Sequence, residues 1–227
     1  MPTTSSRDRP DFEPLRAAKA AAPIPFVATP KERLCVTAGR VEALSPGRFR
    51  VNQGGMRAVV AGGNGYDAEL AFTYRGPSAV TAKLADGTLR RQIGLKLRAL
   101  DTCNVVYVMW HIEPTRGVNV SVKRAPSLHS HEACGATGYV QVKPAKSQAA
   151  PRIAPGDRHT LRATLDGLGL RVVADGKTVW EGVLPADALA FDGPAGIRSD
   201  NGDFEFELSS EPRDVQANCA HEGPAAK

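Results

Sequence analysis

The chain has no apolar run approaching the ~18 residues that a membrane-crossing helix requires, so no helical span is expected. It also lacks runs of like charge. Its 29 Lys+Arg and 24 Asp+Glu give a net charge of +5, but the basic residues are scattered, which argues against a dedicated nucleic-acid binder. The four cysteines, Cys35, Cys103, Cys134 and Cys219, contain no C-x-x-C, which excludes zinc-ribbon and thioredoxin motifs. No apolar segment of a secretory leader is seen in residues 1–30, so the protein is either intracellular or an exported one whose leader has been removed. The even cysteine count favours the exported, oxidised alternative, secreted, periplasmic or at the cell surface. Sustained helical spacing is absent from the centre of the chain, and the best short candidate is "PADALAF" at Pro185–Phe191.

What is there has a period of two. In "DAELAFTY", Asp67–Tyr74, the residues Leu70, Phe72 and Tyr74 share one face and Glu69 and Thr73 the other. "QIGLKLRA" at Gln92–Ala99, "VNVSVK" at Val118–Lys123 and "FEFEL" at Phe204–Leu208 alternate in the same way, as half-buried strands do. "VVYVMWHI", Val105–Ile112, is apolar on both faces and reads as a central strand covered by something other than water. Glycine (22) and proline (17) supply the turns. Asp166-Gly167 and Asp175-Gly176 each separate alternating segments, and Asp-Gly suits the positive φ angles of tight hairpins, so residues 159–184 form a three-strand meander. At 227 residues and 42% hydrophobic, the chain can build one sizeable core. The class is all-β, two antiparallel sheets packed face to face. Residues 1–33 read as a flexible tail or linker, 34–210 as the sandwich, and 211–227 as a polar C-terminal tail.

The meander, followed by "GPAGIRSDNGDFEFELSS" at Gly193–Ser210, resembles the C-terminal half of concanavalin-A-like jelly rolls, in particular the laminin-G-like and bacterial glucanase-like branch. Upstream, "NGYDAELAFTYRG" and "RRQIGLKLRA…VVYVMW" are similar to the paired strands of that fold. The resemblance implies a curved two-sheet antiparallel jelly-roll sandwich whose concave sheet often binds a saccharide or polysaccharide and sometimes cleaves it. The Glu-x-Asp-x-x-Glu strand of a retaining glucanase is missing, and "RRQIGLKLR" lacks the partner histidine of an alginate-lyase pattern. A binding module without a catalytic signature is the preferred expectation. A hydrolase or lyase using His111, His129, His131 or Glu132 with Tyr107 and Arg98 is one alternative, and a structural or adhesion module another. Chain termini of this fold lie close together, which implies a Cys35–Cys219 bridge pinning the C-terminal tail.

The segment "HSHEACG", His129–Gly135, carries two readings. On a strand His129 and His131 would share a face and, with Glu132, Cys134 or His111, offer ligands to a transition metal. Alternatively Cys134 pairs with Cys103 and the histidines decorate the loop so closed, acting as acid–base or ligand-binding groups. If Val106, Val108, Trp110 and Ile112 point into the core, Tyr107 and His111 share the other face with Lys96, Arg98, Asn119, Ser121 and Lys123. Aromatic rings beside planar polar groups suit sugars, because ring faces stack on C–H bonds while amides and guanidinium groups bind hydroxyls or carboxylates. The same face is equally readable as a plain solvated sheet. Trp110 and Trp180 are expected in the core. The Gly-rich "AVVAGGNGYD" lacks a following helix and reads as a bulge or loop. Asp200, Asn201 and Asp203 form an oxygen-rich stretch open to two readings, a calcium site or a plain turn.

Overall fold

The computed structural model describes residues 28–212. They form β1 (Leu34–Ala38), β2 (Glu42–Ser45), β3 (Arg48–Val60), β4 (Gly63–Pro77), β5 (Arg91–Leu97), β6 (Val105–Glu113) and β7 (Gly117–Lys123). One helical turn, α1 (His131–Cys134), precedes β8 (Tyr139–Val142), β9 (Lys146–Ser147), β10 (Arg158–Asp166), β11 (Gly169–Ala174), β12 (Lys177–Val183) and β13 (Gly196–Pro212). All pairings are antiparallel.

Two long strands, β3 and β13, run side by side through both layers of a sandwich. Gly196–Asp200 of β13 lies between β5 and the C-terminal part of β3, giving a first sheet ordered β8-β7-β6-β5-β13-β3-β1. Gly202–Pro212 pairs with β4, giving a second sheet ordered β9-β12-β11-β10-β4-β13-β3-β2. The expected β10–β11–β12 meander is present, and its Asp175-Gly176 turn has φ angles of 48° and 76°.

The passage from one sheet to the other is chemically built. On β3 it falls at Gln53-Gly54-Gly55 and on β13 at the neighbouring Asn201-Gly202. Asn201 takes φ 56°, its Oδ1 accepts from the backbone N–H of Ala82 at 2.7 Å, and its Nδ2 donates to the carbonyls of Ala82 and Arg90, both at 2.9 Å. A Cβ on Gly54 would stand 2.8 Å from the Cβ of Ala82, so the crossing strand passes too closely for any side chain there. The bend also reverses parity. Beyond it Phe204, Phe206 and Leu208 point into the core, whereas before it Ile197 does, which turns Arg198 and Asp200 outward.

The core fills the space between the sheets. Phe72 of β4 meets Trp110 of β6 edge to face at 5.8 Å, and Phe72 also meets Phe204 at 6.0 Å. Such contacts each add ~1 kcal/mol beyond the burial of the rings. Trp110 and Trp180 are both buried, as expected. "PADALAF" supplies only a 3-10 turn at Ala186–Leu189. Residues assigned above to the N-terminal tail are partly held: Thr29 donates its N–H to Leu208 at 2.7 Å, and Arg33 Nε donates to the Ala61 carbonyl at 2.8 Å. Glu211 and Pro212, assigned above to the C-terminal tail, end β13, while Cys219, the partner expected for Cys35, lies outside the described residues.

Candidate functional site

Alternation in the first sheet sends Ile93, Leu95, Val106, Val108, Trp110, Val120 and Val122 inward. The outward residues of the same strands are Gln92, Gly94 and Lys96 on β5, Tyr107, Met109 and His111 on β6, and Asn119, Ser121 and Lys123 on β7. Register sets them beside one another: Gln92 faces His111, Lys96 faces Tyr107, and Tyr107 in turn faces Ser121. Arg57 of β3 lies opposite Arg198 of β13, and Gly55 opposite Asp200. This outer face therefore gathers most of the predicted residues, together with Asp200, read above only as a calcium or turn residue, and with Arg57, Gln92, Tyr139 and Arg198, which the sequence reading did not single out.

The side chains lie flat across the strands. Gly94 sits between Arg198 and Met109 in the register, and its missing Cβ would otherwise stand 2.1 Å from the Val108 carbonyl and 3.0 Å from the Met109 sulfur. Over this gap the Arg198 guanidinium covers the Tyr107 ring at 5.1 Å and donates to the Tyr139 hydroxyl at 3.3 Å. Tyr107 and Tyr139 stack with centroids 6.0 Å apart, across the small Ser121 between their strands. Lys123 closes the series with its ammonium 5.0 Å from the Tyr139 ring. A cation, two aromatic rings and a second cation thus follow one another across the sheet.

Beside this stack, Asp200 is 1% exposed and accepts from Arg198 Nε at 2.8 Å and Gln92 Nε2 at 2.6 Å. Its Oδ1 and the Gln92 Oε1 have no hydrogen-bond partner among the described residues. The Arg57 guanidinium, 3.7 Å from that Oδ1, is the more exposed of the two arginines. The charge pattern moves the neighbouring titrations. Burial, helped by the charges of Arg90 and Arg198, pushes His111 down to about 4, with Asp200 opposing. Burial, with Arg198 and Arg57, pushes Lys123 down to about 8. His131 is likewise lowered by burial and by Arg57, Lys123 and Arg198, against the pull of Glu132.

The loop between β7 and β8 borders this face. Cys103 and Cys134 are bridged, with Cα atoms 5.9 Å apart. Lys123 donates to the Gly135 carbonyl at 2.8 Å and contacts the Cys134 sulfur at 3.1 Å. Asp101 and Asn104 tie the two loops further, Asn104 donating to the carbonyls of Ala125 and Leu128. The strand pictured for "HSHEACG" is instead one turn of helix, capped by Ser130, whose hydroxyl accepts from the Ala133 N–H. The two loop histidines consequently part company. His129 Nδ1 binds Asp101 Oδ2 at 2.7 Å and anchors the loop, while His131 stands within the field of the arginines. Glu132 is exposed on α1.

Arg98 is not part of this face. It follows the last residue of β5 with φ 48°, which turns its side chain away from Lys96. Its guanidinium donates to the carbonyls of Ala188 and Phe191 and covers the Tyr66 ring at 4.8 Å, where it pins the loop before β13. Arg98 therefore stands apart from Tyr107, with which the hydrolase or lyase alternative paired it alongside His111, His129, His131 or Glu132. The bridged Cys134 is unable to serve as a thiolate ligand, and among the described residues no three His, Cys, Asp or Glu side chains converge as a metal site. The oxygen donors considered for calcium face separate partners: Asp200 binds Arg198, Asn201 holds the bend, and Asp203 binds Arg50 through both oxygens at 3.0 and 2.8 Å.

No protein-family model matches the chain, and no curated protein matches it in sequence. Solved structures do resemble it. The carbohydrate-binding module CBM66 from Bacillus subtilis superposes with a TM-score of 0.54 at 13% identity, covering 82% of this chain and all of that one (100%). The fold is a concanavalin-A-like jelly roll. Lower-scoring likenesses of this jelly roll include the GH43 protein BlXynB from Bacillus licheniformis (TM-score 0.49, 13% identity, 82% of this chain and 38% of that one). The carbohydrate recognition domain of Emp46p scores 0.46 at 12% identity, over 78% of this chain and 88% of that one.

Proposed function

We propose that this jelly roll is an exported carbohydrate-binding module and that the outer face of its first sheet is where the saccharide sits. The observation that carries the reading is the Tyr107–Tyr139 stack set beside the Arg198–Asp200–Gln92 network. Tyr139 is 42% exposed and offers a ring on which sugar C–H groups stack. Arg57 and Gln141 are accessible hydrogen-bonding groups of this face: Arg57 keeps a planar donor to orient hydroxyls, while Gln141 spends its Nε2 on the Asn119 side chain and the Val120 carbonyl and offers its Oε1 as an acceptor. Such a site needs little rearrangement on binding, because the disulfide and the Asp101–Asn104 network hold its border fixed. Structural similarity to a carbohydrate-binding module supports the same reading, and a bridged loop suits an oxidising compartment.

The test is a glycan array with the full chain, followed by calorimetric titration of any saccharide bound. Tyr139→Ala is expected to weaken binding at least tenfold with little change in melting temperature, since the ring is half exposed. Undiminished binding by that variant would move the site elsewhere.

A further inference from the structure

The outer face carries more positive charge than its own acid neutralises. Arg198 and Asp200 satisfy each other at 2.8 Å, leaving Arg57 at 3.7 Å from the Asp200 oxygen and Lys123 on the far side of the tyrosine stack, where among the described residues it contacts a carbonyl, a sulfur and the ring. Glu132 on α1 is an exposed acid near His131, opposing the three cations that act on that ring. Burial first, and then repulsion from Arg57 and Arg198, depresses the protonation of both Lys123 and His131. An anion placed between them would relieve that repulsion, and Arg57 presents a guanidinium fork matched to a carboxylate.

Resting on the saccharide-binding reading above, we infer that the ligand is acidic: a uronate-bearing saccharide whose carboxylate is received by Arg57 beside the Tyr139 ring. Geometry favours a single carboxylate-bearing sugar over a neutral one for two reasons. On this face the exposed aromatic surface among the described residues is that of Tyr139, so stacking alone provides a small contact. The donor offered there, Arg57, is cationic, and the oxygens of the Asp200–Gln92 network beside it lie buried. A neutral polyol, which must both donate and accept, meets no exposed acceptor in that network.

The experiment titrates the full chain at 150 mM salt with oligogalacturonates, with glucuronate- and mannuronate-bearing oligomers, and with each compound after reduction of its carboxyls to primary alcohols. At least one uronate is expected to bind, with a tenfold or greater loss on carboxyl reduction and a similar loss in Arg57→Gln, whose melting temperature is followed as the folding control. Arg57→Lys should recover part of the affinity. Equal binding of an oligomer and its reduced form overturns the acidic-ligand inference and leaves the saccharide reading standing. A uronate affinity that Arg57→Gln leaves intact, as bulk attraction to a +5 chain would, overturns it as well. Absence of binding to every acidic and neutral saccharide overturns both.

Discussion

Arg198 and Asp200 stand two residues apart on one strand, on the same face, joined Nε to Oδ2 at 2.8 Å with side-chain exposures of 9% and 1%. A buried pair of this kind rarely adds net stability, because desolvating two ions costs about what their attraction returns, but removing one partner strands the other. Arg198 also feels Tyr107 and Tyr139, and despite a burial that opposes its charge, Asp200 and the tyrosines hold it protonated. The pair is therefore expected to fix the geometry of the face more than to stabilise the fold. Arg198→Met should destabilise the protein by ~3–5 kcal/mol. Adding Asp200→Asn to Arg198→Met should recover part of that loss in urea denaturation. Additive single-variant effects, within ~0.5 kcal/mol, would show that the two residues are energetically independent.

His111 makes stability depend on pH. Its folded pKa of about 4 lies below the ordinary 6.5, so between those values the unfolded chain takes up a proton that the folded protein refuses. Stability should rise with pH across this window, and at pH 4 the folded state should have lost on the order of 3 kcal/mol through His111 alone. His111→Gln removes the titration. The difference in unfolding free energy between wild type and His111→Gln should shrink or change sign from pH 7 to pH 4. Parallel pH profiles for the two proteins would mean that His111 is not buried as described.

Much of the fold was legible because alternation is a local signal. "DAELAFTY", "VNVSVK" and "FEFEL" all lie in strands with the faces that period-two counting gives, and the two Asp-Gly turns bound the meander. The double-sided apolarity of "VVYVMWHI" also has its cause: Tyr107 and Met109 belong to a second apolar cluster with Val105, Val59 and Cys35 on the outer face.

The site was legible only in part, and parity explains why. Counting back by twos from Phe204 puts Arg198 and Asp200 on the core side. The reversal at Asn201-Gly202 sends them outward, and a single positive φ at Arg98 removes that residue from the row it shares with Lys96 in the sequence. The first is an Asn-Gly buried within a strand rather than between two, which alternation reads straight through, and the second falls one residue past the end of β5. Tyr139 was missed for a different reason. It lies on a four-residue strand, too short to show a clear period of two, whose place beside β7 is fixed only by tertiary pairing.

Asn201 is expected to be the most sensitive residue of the bend. Asn201→Gly tolerates the positive φ but loses all three hydrogen bonds to residues 82 and 90, whereas Asn201→Ala loses the bonds and keeps a Cβ in the left-handed region without the side chain that compensates for it. Costs of ~2 kcal/mol or more are expected for the glycine variant, with ~1 kcal/mol further for alanine. Thermal unfolding of the two variants decides it, and an alanine variant as stable as wild type would contradict the account of the crossing.

The Cys103–Cys134 bridge closes a loop of sequence separation 31. Replacing both cysteines by serine should lower stability by ~3–4 kcal/mol, the scale of loop-closure entropy at this length. Saccharide affinity should fall as well at temperatures where the variant is still folded, because α1 then loses its tether beside Lys123. Unchanged affinity in the folded double variant would remove the loop from the binding face.

The central claim is that ligand meets the protein on the outer face of the first sheet. It is tested most directly by titrating isotope-labelled protein with the tightest-binding saccharide and following backbone and side-chain resonances. The account predicts that perturbations concentrate on Arg57, Tyr139, Gln141 and the α1 loop, with the Arg198 Nε–H shifting as its neighbours are covered. Perturbations confined to the second sheet, around the exposed faces of β10–β12, would contradict it.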